Sequence, residues 1–348
     1  MDSEEKNPAK KWTSHSCGLV FFSGVCFVER ACQHLALSSF EIEQACRHYF
    51  QSKGTLQSYE ILSGGALNTT FKICFDEEWF VLRFYVRDPK LASIEKCLYE
   101  QIEGLVPVPK KLYTSRDDQS IPFALFNFCE KDHVYDALEV HQDPLSYDLG
   151  AALAKIHAIH FSEAGLFDRD LKIGTLFEKG SRPYFEHCFS ILTPTHLAWK
   201  RLGEERAKAL LKFIEENREY FPVMGNGGCL VHSDFKPVNL LWSEKDGLTV
   251  LDWEFAHSGH GLMDFGILLR HYQTFPFSLE KLEQGYLENG GVLPEDWIRK
   301  ARITDTINLI QLLNTPLERP QLFQSLLESI DLTMSRWTFL DDFMRGRT

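Results

Sequence analysis

The stretch LVHSDFKPVNLLW at residues 230–242 changes character abruptly. Apolar residues stand at both ends, as in two buried strands, whereas the centre is polar and holds a proline. Proline fits poorly into a helix or a central strand, because it lacks the backbone N–H and its ring restricts φ. The stretch is therefore predicted to be a loop between two core elements, and its candidate functional side chains are His232, Asp234, Lys236 and Asn239.

A β-hairpin is predicted directly after this loop. LLW forms a short strand, SEKDG a turn and LTVLDW the returning strand, with the turn centred near Lys245 and Asp246. Asn239 then enters the hairpin at the edge where Asp252 leaves it, and antiparallel neighbours lie only about 5 Å apart. With Asp234 in the preceding loop, two carboxylates and one carboxamide oxygen form a site suited to Mg²⁺.

The rest of the chain divides into two parts. Residues 55–128 show strand patterns around a Gly turn and an acidic turn, with one helix at 91–103, and a helix capped by Ser38 or Ser39 precedes them. After about Cys129, amphipathic helices dominate, including most of 279–340. We predict an N-lobe at 34–129 and a larger helical C-lobe at 130–348.

Composition limits the classes of function. The 348 residues exceed what one core usually covers, and 44% hydrophobic with 25% charged residues is typical of a soluble globular protein. The net charge of −12 is spread evenly and disfavours a nucleic-acid partner. No apolar run is long enough for a membrane span. Nine scattered cysteines without a CxxC motif favour free thiols and a cytoplasmic location, and the oligomeric state stays open.

Residues 1–33 are predicted to form an N-terminal extension. Two lysines, Lys10 and Lys11, precede the apolar run CGLVFFSGVCFV, which is the outline of a secretory signal. Ser and Cys interrupt that run, and no clear A-x-A-like site follows, so a frayed or loosely docked extension is the favoured interpretation.

The loop and hairpin carry a resemblance to a known family. The spacing His232-x-Asp234-x₄-Asn239, followed by a strand-end Asp252, resembles the catalytic and metal loops of protein-kinase-like phosphotransferases. HSDFKPVN and DWE look most like the patterns of the aminoglycoside phosphotransferase family, which is related to the choline kinases. Further segments match that family in the same order, namely LSGGALNTTFKI, FVLRFYV, SIEKCLYEQI, LVPVP and LGAALAKIHAIH.

This resemblance covers roughly residues 38–335 and implies a two-lobed, protein-kinase-like α+β fold. The N-lobe is then a small antiparallel sheet with one main helix, and the nucleotide lies in the cleft near residues 126–129. The implied cofactor is Mg²⁺, and the implied co-substrate is ATP or GTP. By this resemblance, Asp234 takes the acceptor's proton, Lys236 contacts the γ-phosphate, and Asn239 and Asp252 hold Mg²⁺.

The resemblance also implies a set of nucleotide-binding residues: Gly64, Gly65, Asn68, Thr69, Arg83, Glu95, Phe126 and Phe128. Arg83 replaces the lysine that this fold usually has, and an arginine can pair with both a phosphate and Glu95. Plainer interpretations stay open. Asp234 and Asn239 are also compatible with a loop cap and a turn residue, Arg83 with a solvated strand residue, and the Gly segment with an ordinary hairpin turn.

A literal Asp-Phe-Gly occurs at Asp264, but it begins an apolar helix instead of ending a strand. We therefore predict that Asp264 is a helix cap that braces the active loops, and that Asp252 is the metal ligand. His232 is predicted to bond loop backbone. Glu254 either supports the metal shell or lies at the loop surface.

Three functions remain open at this stage. Only 11 residues separate Asp252 from Asp264 and no A-P-E follows, so no peptide platform exists and a kinase of a small-molecule hydroxyl is favoured. Its acceptor pocket is expected around residues 170–200 and 270–320, where Asp305, Asn308 and Glu318 either read polar groups or are ordinary surface residues. The alternatives are a nucleotide-binding pseudokinase and a metal-dependent hydrolase that uses His232 and Asp234.

Overall fold

The computed structural model describes residues 33–50, 54–62, 67–115, 121–176, 182–225 and 227–346. Gly64, Gly65 and residues 1–32 of the predicted extension lie outside the described residues.

The N-lobe is a five-stranded antiparallel sheet with a helix on each face. The strand order is β1-β2-β3-β5-β4. Its elements in chain order are α1 (Ser39–Phe50), β1 (Leu56–Ile61), β2 (Thr69–Phe75), β3 (Glu78–Phe84), α2 (Lys90–Ile102), β4 (Lys111–Thr114) and β5 (Phe123–Asn127).

Local sequence explains how these elements begin and which faces they bury. Ser38 and Glu41 form a capping box, in which the Ser38 hydroxyl accepts from the Glu41 N–H at 3.3 Å and Glu41 accepts from the Ser38 N–H at 2.8 Å. The predicted start of α1 is therefore confirmed. On β3, Phe80 and Leu82 share one core cluster with α1, while Arg83 alternates with them and lies on the opposite face, toward α2.

The C-lobe is mainly helical and carries two small sheets. Its elements are β6 (Asp132–His133), α3 (Val134–His157), β7 (His160–Phe161), β8 (Gly165–Phe167), β9 (Ile173–Leu176), α4 (Pro183–Ile191), α5 (Leu197–Leu202), α6 (Glu204–Glu216), β10 (Gly228–Val231), β11 (Leu240–Ser243), β12 (Gly247–Val250), β13 (His257–Gly259), α7 (Leu262–Arg270), α8 (Leu279–Glu288), α9 (Trp297–Leu313), α10 (Pro320–Ser335) and α11 (Leu340–Met344).

The predicted hairpin is present as β11 and β12. Leu240 pairs with Val250 and Ser243 with Gly247, so the turn is centred on Lys245. The second C-lobe sheet, β7-β10-β13-β8-β9, was not predicted; its strands contain only two to four residues, too few for an alternation pattern. One core cluster joins α2, α3, the hairpin and α7, and a second joins α4, α6, α9 and α10.

Two expectations from composition can be compared with the described residues. No helix in the described part of the chain is both long enough and apolar enough to cross a bilayer. The six cysteines in that part all have free thiols.

Candidate active site

The backbone of the catalytic loop is held from beneath by one aspartate. Asp264 is fully buried in the first turn of α7, and its carboxylate accepts from the N–H groups of His232 at 2.9 Å and Ser233 at 2.7 Å. Ser233 has φ of 64°, a left-handed conformation that costs a non-glycine residue energy. These two hydrogen bonds offset that cost and fix the direction in which the next residue, Asp234, leaves the loop.

Asp264 is therefore a brace, as predicted, although it is the third residue of α7 and not its cap. His157 on α3 contacts the same carboxylate through Nε2 at 3.2 Å, and its Nδ1 lies 3.0 Å from the Tyr286 hydroxyl. Burial alone would raise the pKa of Asp264, but the His157 contact and the backbone donors outweigh burial and lower it. Asp264 thus stays ionised as an acceptor for the loop.

His232 connects the loop to the hairpin. It is fully buried, its Nε2 lies 2.9 Å from the Leu251 carbonyl, and its Nδ1 accepts from the Asp234 N–H at 3.2 Å. The prediction that His232 bonds loop backbone is confirmed.

Each oxygen of the Asp234 carboxylate has one partner. Oδ1 lies 2.9 Å from the Lys236 Nζ, and Oδ2 accepts from the Asn239 Nδ2 at 2.8 Å. The Asp234 side chain remains 17% exposed, so it is accessible from solvent and not enclosed by protein. The loop therefore presents an oriented carboxylate beside an ammonium group.

Asn239 and Asp252 flank the open end of the hairpin. The Leu251 N–H donates to the Asn239 carbonyl at 2.9 Å, which extends the β11–β12 pairing by one residue and makes Asp252 the next residue out. Asn239 uses its Nδ2 for the carbonyl and carboxylate of Asp234, so its Oδ1 is left for another partner. Asp252 has φ of 62°, so the chain turns sharply at that residue.

Arg83 lies among three carboxylates. Its Nη2 is 2.6 Å from Asp252 and 3.7 Å from Glu254, and its Nη1 is 3.6 Å from Glu95. Glu95 also accepts a hydrogen bond from the Tyr85 hydroxyl. Arg83 is only 9% exposed, so the interpretation as a solvated strand arginine is wrong.

This cluster has one positive group for three acidic groups. Burial opposes ionisation of Asp252, but the Arg83 charge outweighs burial and lowers the pKa of Asp252. Burial, followed by the charge of Asp252, raises the pKa of Glu254 to about 7. The oxygen donors of Asp252 and Asn239, together with the excess of negative charge, fit a divalent cation. Neither here nor elsewhere do the described residues contain a group of three or more His, Cys, Asp or Glu side chains that could hold a metal, so the fit depends on the oxygens of Asp252 and Asn239.

The end of the predicted phosphate loop contacts the same cluster. Asn68 is 4% exposed, and its Nδ2 donates to Glu254 at 2.8 Å. Glu254 therefore joins the lobes, and its side chain is buried at 4% exposure, not at the loop surface. Thr69 lies apart from this cluster, because its hydroxyl is fully buried and accepts from the Leu35 N–H at 3.0 Å.

The two predicted aromatic residues lie along the last strand before the C-lobe. Phe126 on β5 is buried, and its ring centroid is 5.5 Å from that of Tyr99. Phe128 follows β5, and the Lys72 Nζ lies 4.3 Å from its ring. The sequence patterns did not identify Lys72 as a neighbour of Phe128. Lys72 pairs across β2 and β3 with Val81 and therefore lies on the same face of the sheet as Arg83, so the β2–β3 register would have indicated its position.

A two-lobed molecule with this loop and hairpin has the fold of the protein-kinase-like phosphotransferases. The family model described as "Phosphotransferase enzyme family", abbreviated APH, matches residues 58–297, which is more than half of the chain. The chain therefore belongs to this family, and it is a phosphotransferase. No curated protein sequence matches it significantly.

Solved structures show the same fold at low sequence identity. A protein designated an aminoglycoside phosphotransferase, from Ralstonia eutropha JMP134, is 18% identical with a TM-score of 0.63, over 88% of this chain and 98% of that one. A thermostable mutant of aminoglycoside phosphotransferase APH(4)-Ia, bound to ADP and hygromycin B, is 18% identical with a TM-score of 0.60, over 85% and 98%. The gentamicin complex of APH(2")-IIa is 20% identical with a TM-score of 0.58, over 85% and 96%.

Proposed function

We propose that this phosphotransferase transfers the γ-phosphate of ATP or GTP to a hydroxyl group of a small polar molecule, with Asp234 as the catalytic base. The observation that carries this proposal is the Asp234 carboxylate, which is partly exposed and is held on both oxygens by Lys236 and Asn239. A base oriented in this way can accept the proton of an alcohol as its oxygen attacks phosphorus.

The donor side of the cleft supplies the remaining groups. Arg83, held near Glu95, would pair with nucleotide phosphates once its contact with Asp252 is exchanged. Lys236, beside the carboxylate of Asp234, would neutralise charge on the transferred phosphoryl group. Asn239 and Asp252 would hold Mg²⁺, which neutralises charge on the nucleotide phosphates when it is bound.

The remaining nucleotide-binding assignments are less direct. Phe126 and Phe128 are assigned to the nucleobase of the nucleotide by the family resemblance, and Asn68 contacts Glu254 from the end of the phosphate loop. Gly64 and Gly65 stay predictions outside the described residues. For Thr69, the buried hydrogen bond with Leu35 supports a role inside the N-lobe instead of at the phosphates.

Turnover of ATP and GTP with Mg²⁺ across a panel of hydroxyl compounds tests the proposal. Asp234→Asn should lower kcat by about 10²- to 10⁴-fold, because the amide cannot take the proton. Asp331→Asn, on the remote helix α10, provides a matched control with unchanged activity. Nucleotide binding without any turnover would instead identify a pseudokinase, and turnover that survives Asp234→Asn would exclude Asp234 as the base.

A further inference from the structure

A second charged cluster lies between α7 and α9. Asp305 is fully buried, and it accepts hydrogen bonds from two arginines, Arg270 and Arg302. Arg302 also donates hydrogen bonds to the Gly266 carbonyl and to the hydroxyl groups of Ser329 and Thr333. Two guanidinium groups thus share one carboxylate. The group formed by Arg270, Arg302 and Asp305, here called the α7–α9 wall, therefore carries one positive charge in excess.

One hydrogen bond places this wall next to the catalytic loop. Asn308 lies one helical turn after Asp305 on α9, and its Nδ2 is 3.4 Å from the carbonyl of Ser233, the neighbour of Asp234. Residues three apart on a helix are about 5–6 Å apart at Cβ. On the other side, His271 lies close enough to Arg270, Arg302 and Lys236 that burial and these three charges lower its pKa to about 3.

The wall still has hydrogen-bonding capacity that no protein group uses. Arg270 binds Asp305 through Nε and Nη2, while within the described residues its Nη1 makes no hydrogen bond, and its side chain is 13% exposed. The Nε2 atom of His271 is buried and also has no partner among the described residues. A buried polar atom without a partner costs free energy until a ligand satisfies it.

We propose that the acceptor alcohol carries a negatively charged oxygen group, a carboxylate or a phosphate, which binds to the Nη1 of Arg270. This inference rests on the proposed function, because it concerns the acceptor of the same reaction. Both carboxylate oxygens of Asp305 are already taken by guanidinium groups, so this wall offers no free anionic group to a polycation. Excess positive charge and a free guanidinium N–H together favour an anionic oxygen ligand.

Compounds matched in size and different in charge test this specificity. The three-carbon set is glycerate, glycerol 3-phosphate, glycerol and serinol, and the six-carbon set is gluconate, glucose 6-phosphate, glucose and glucosamine. We expect kcat/KM for an anionic member to exceed that of its neutral and cationic partners at least 10-fold. Preference for the carboxylate or the phosphate member identifies the source of the charge. A neutral or cationic preference that depends on Asp234 would overturn this inference and leave the proposed function intact.

Substitution of Arg270 provides the second test. Arg270→Gln should raise the KM for the anionic acceptor about 10- to 100-fold, while kcat, the nucleotide KM and the KM for neutral compounds stay unchanged. Asp305 keeps Arg302 as its partner in this variant, so no buried carboxylate is left unpaired. Arg270→Lys should keep part of the affinity, because it retains the charge.

A matched control is Arg206→Gln on α6, where Arg206 binds Asp331 through the same pair of nitrogens, Nε and Nη2. If no compound is turned over, thermal shifts with the anionic compounds and a non-hydrolysable nucleotide decide the question. Stabilisation of wild type but not of Arg270→Gln supports the inference, and equal shifts or none contradict it. If no compound is turned over, that result contradicts the proposed function, whereas the thermal shifts decide the inference about Arg270.

Discussion

Two aspartates follow the hairpin, Asp252 and Asp264, and their replacement should have different effects. Replacement of Asp264 should lower the stability of the fold, whereas replacement of Asp252 should abolish the effect of Mg²⁺ on nucleotide binding. In Asp264→Ala, the N–H groups of His232 and Ser233 and the Nε2 of His157 lose their acceptor inside the core. Each buried donor without a partner costs about 1–3 kcal/mol, so the loss of all three acceptor contacts should lower the free energy of unfolding by at least about 3 kcal/mol. The same change lets the loop that carries Asp234 relax.

Asp252→Ala should leave the fold nearly unchanged. The Arg83 guanidinium keeps Glu95 and Glu254 nearby, and the side chain of Asp252 is 24% exposed. Removal of one of three carboxylates around one guanidinium also relieves repulsion among them, so we expect a change of no more than about 1 kcal/mol. If the proposed function is correct, however, Mg²⁺ should no longer strengthen the binding of nucleotide to this variant.

Urea unfolding measures the first effect, and calorimetric titration of nucleotide with Mg²⁺ or with EDTA measures the second. A variant with the stability of wild type and no response to Mg²⁺ is expected only for Asp252→Ala. The reasoning is refuted if Asp264→Ala abolishes the Mg²⁺ response without a loss of stability while Asp252→Ala retains that response.

Three further predictions concern Arg83, Ser233 and His271. Arg83→Lys should lower kcat/KM for the nucleotide by up to about 10-fold, whereas Arg83→Met should lower it by about 100-fold or more, since lysine keeps the positive charge although it loses the fork that contacts Glu95 and Asp252 together; equal losses in steady-state assays would contradict this. Ser233→Gly should raise the free energy of unfolding by up to about 1 kcal/mol in urea titrations, because glycine adopts φ near 64° without strain; a decrease would show that the serine side chain contributes more than the backbone conformation costs. Because the pKa of His271 is lowered to about 3, the unfolded chain, with a histidine pKa near 6.5, binds the proton first. The stability contributed by neutral His271 is therefore complete above pH 6.5 and is lost toward pH 3 at up to about 1.4 kcal/mol per pH unit. His271→Gln should reduce the fall in unfolding free energy between pH 6.5 and pH 4.5 by about 2–3 kcal/mol, and an unchanged slope in urea titrations at the two pH values would contradict this.

Local patterns were enough to predict the catalytic loop and the hairpin. The positions of Asn239 and Asp252 at the open end of the hairpin follow from a turn of known length and from the antiparallel pairing, and the strand register and the hydrogen bond from the Leu251 N–H to the Asn239 carbonyl agree with them. The periodicity of apolar residues similarly predicted a helix at 91–103, against the observed Lys90–Ile102. These features depend on contacts between residues that are close in sequence.

The contacts that close the cleft depend on chain topology instead. Arg83 reaches Asp252 across 169 residues, and Asn68 reaches Glu254 across 186, so no local spacing could reveal either pair. The sequence left Asp305 either as a contact for polar groups of the acceptor or as an ordinary surface residue of its helix, and its complete burial rules out the surface position. Its burial between two arginines shows that it sets the charge of the wall without contacting a ligand. One-dimensional patterns identify which residues are polar, but not which opposite charges each one meets.

The charges around Asp234 differ on its two sides, and this difference links the two proposals. On the side assigned to the nucleotide, one guanidinium faces three acidic groups, so on the proposed function Mg²⁺ would bring the missing positive charge with the nucleotide. On the α7–α9 side, two guanidinium groups face one carboxylate, so positive charge is already present before an acceptor binds. An anionic acceptor would therefore meet an attractive wall without an ion of its own. Because Asp234 itself is already paired with Lys236, its carboxylate does not repel such an acceptor as strongly as an isolated one would.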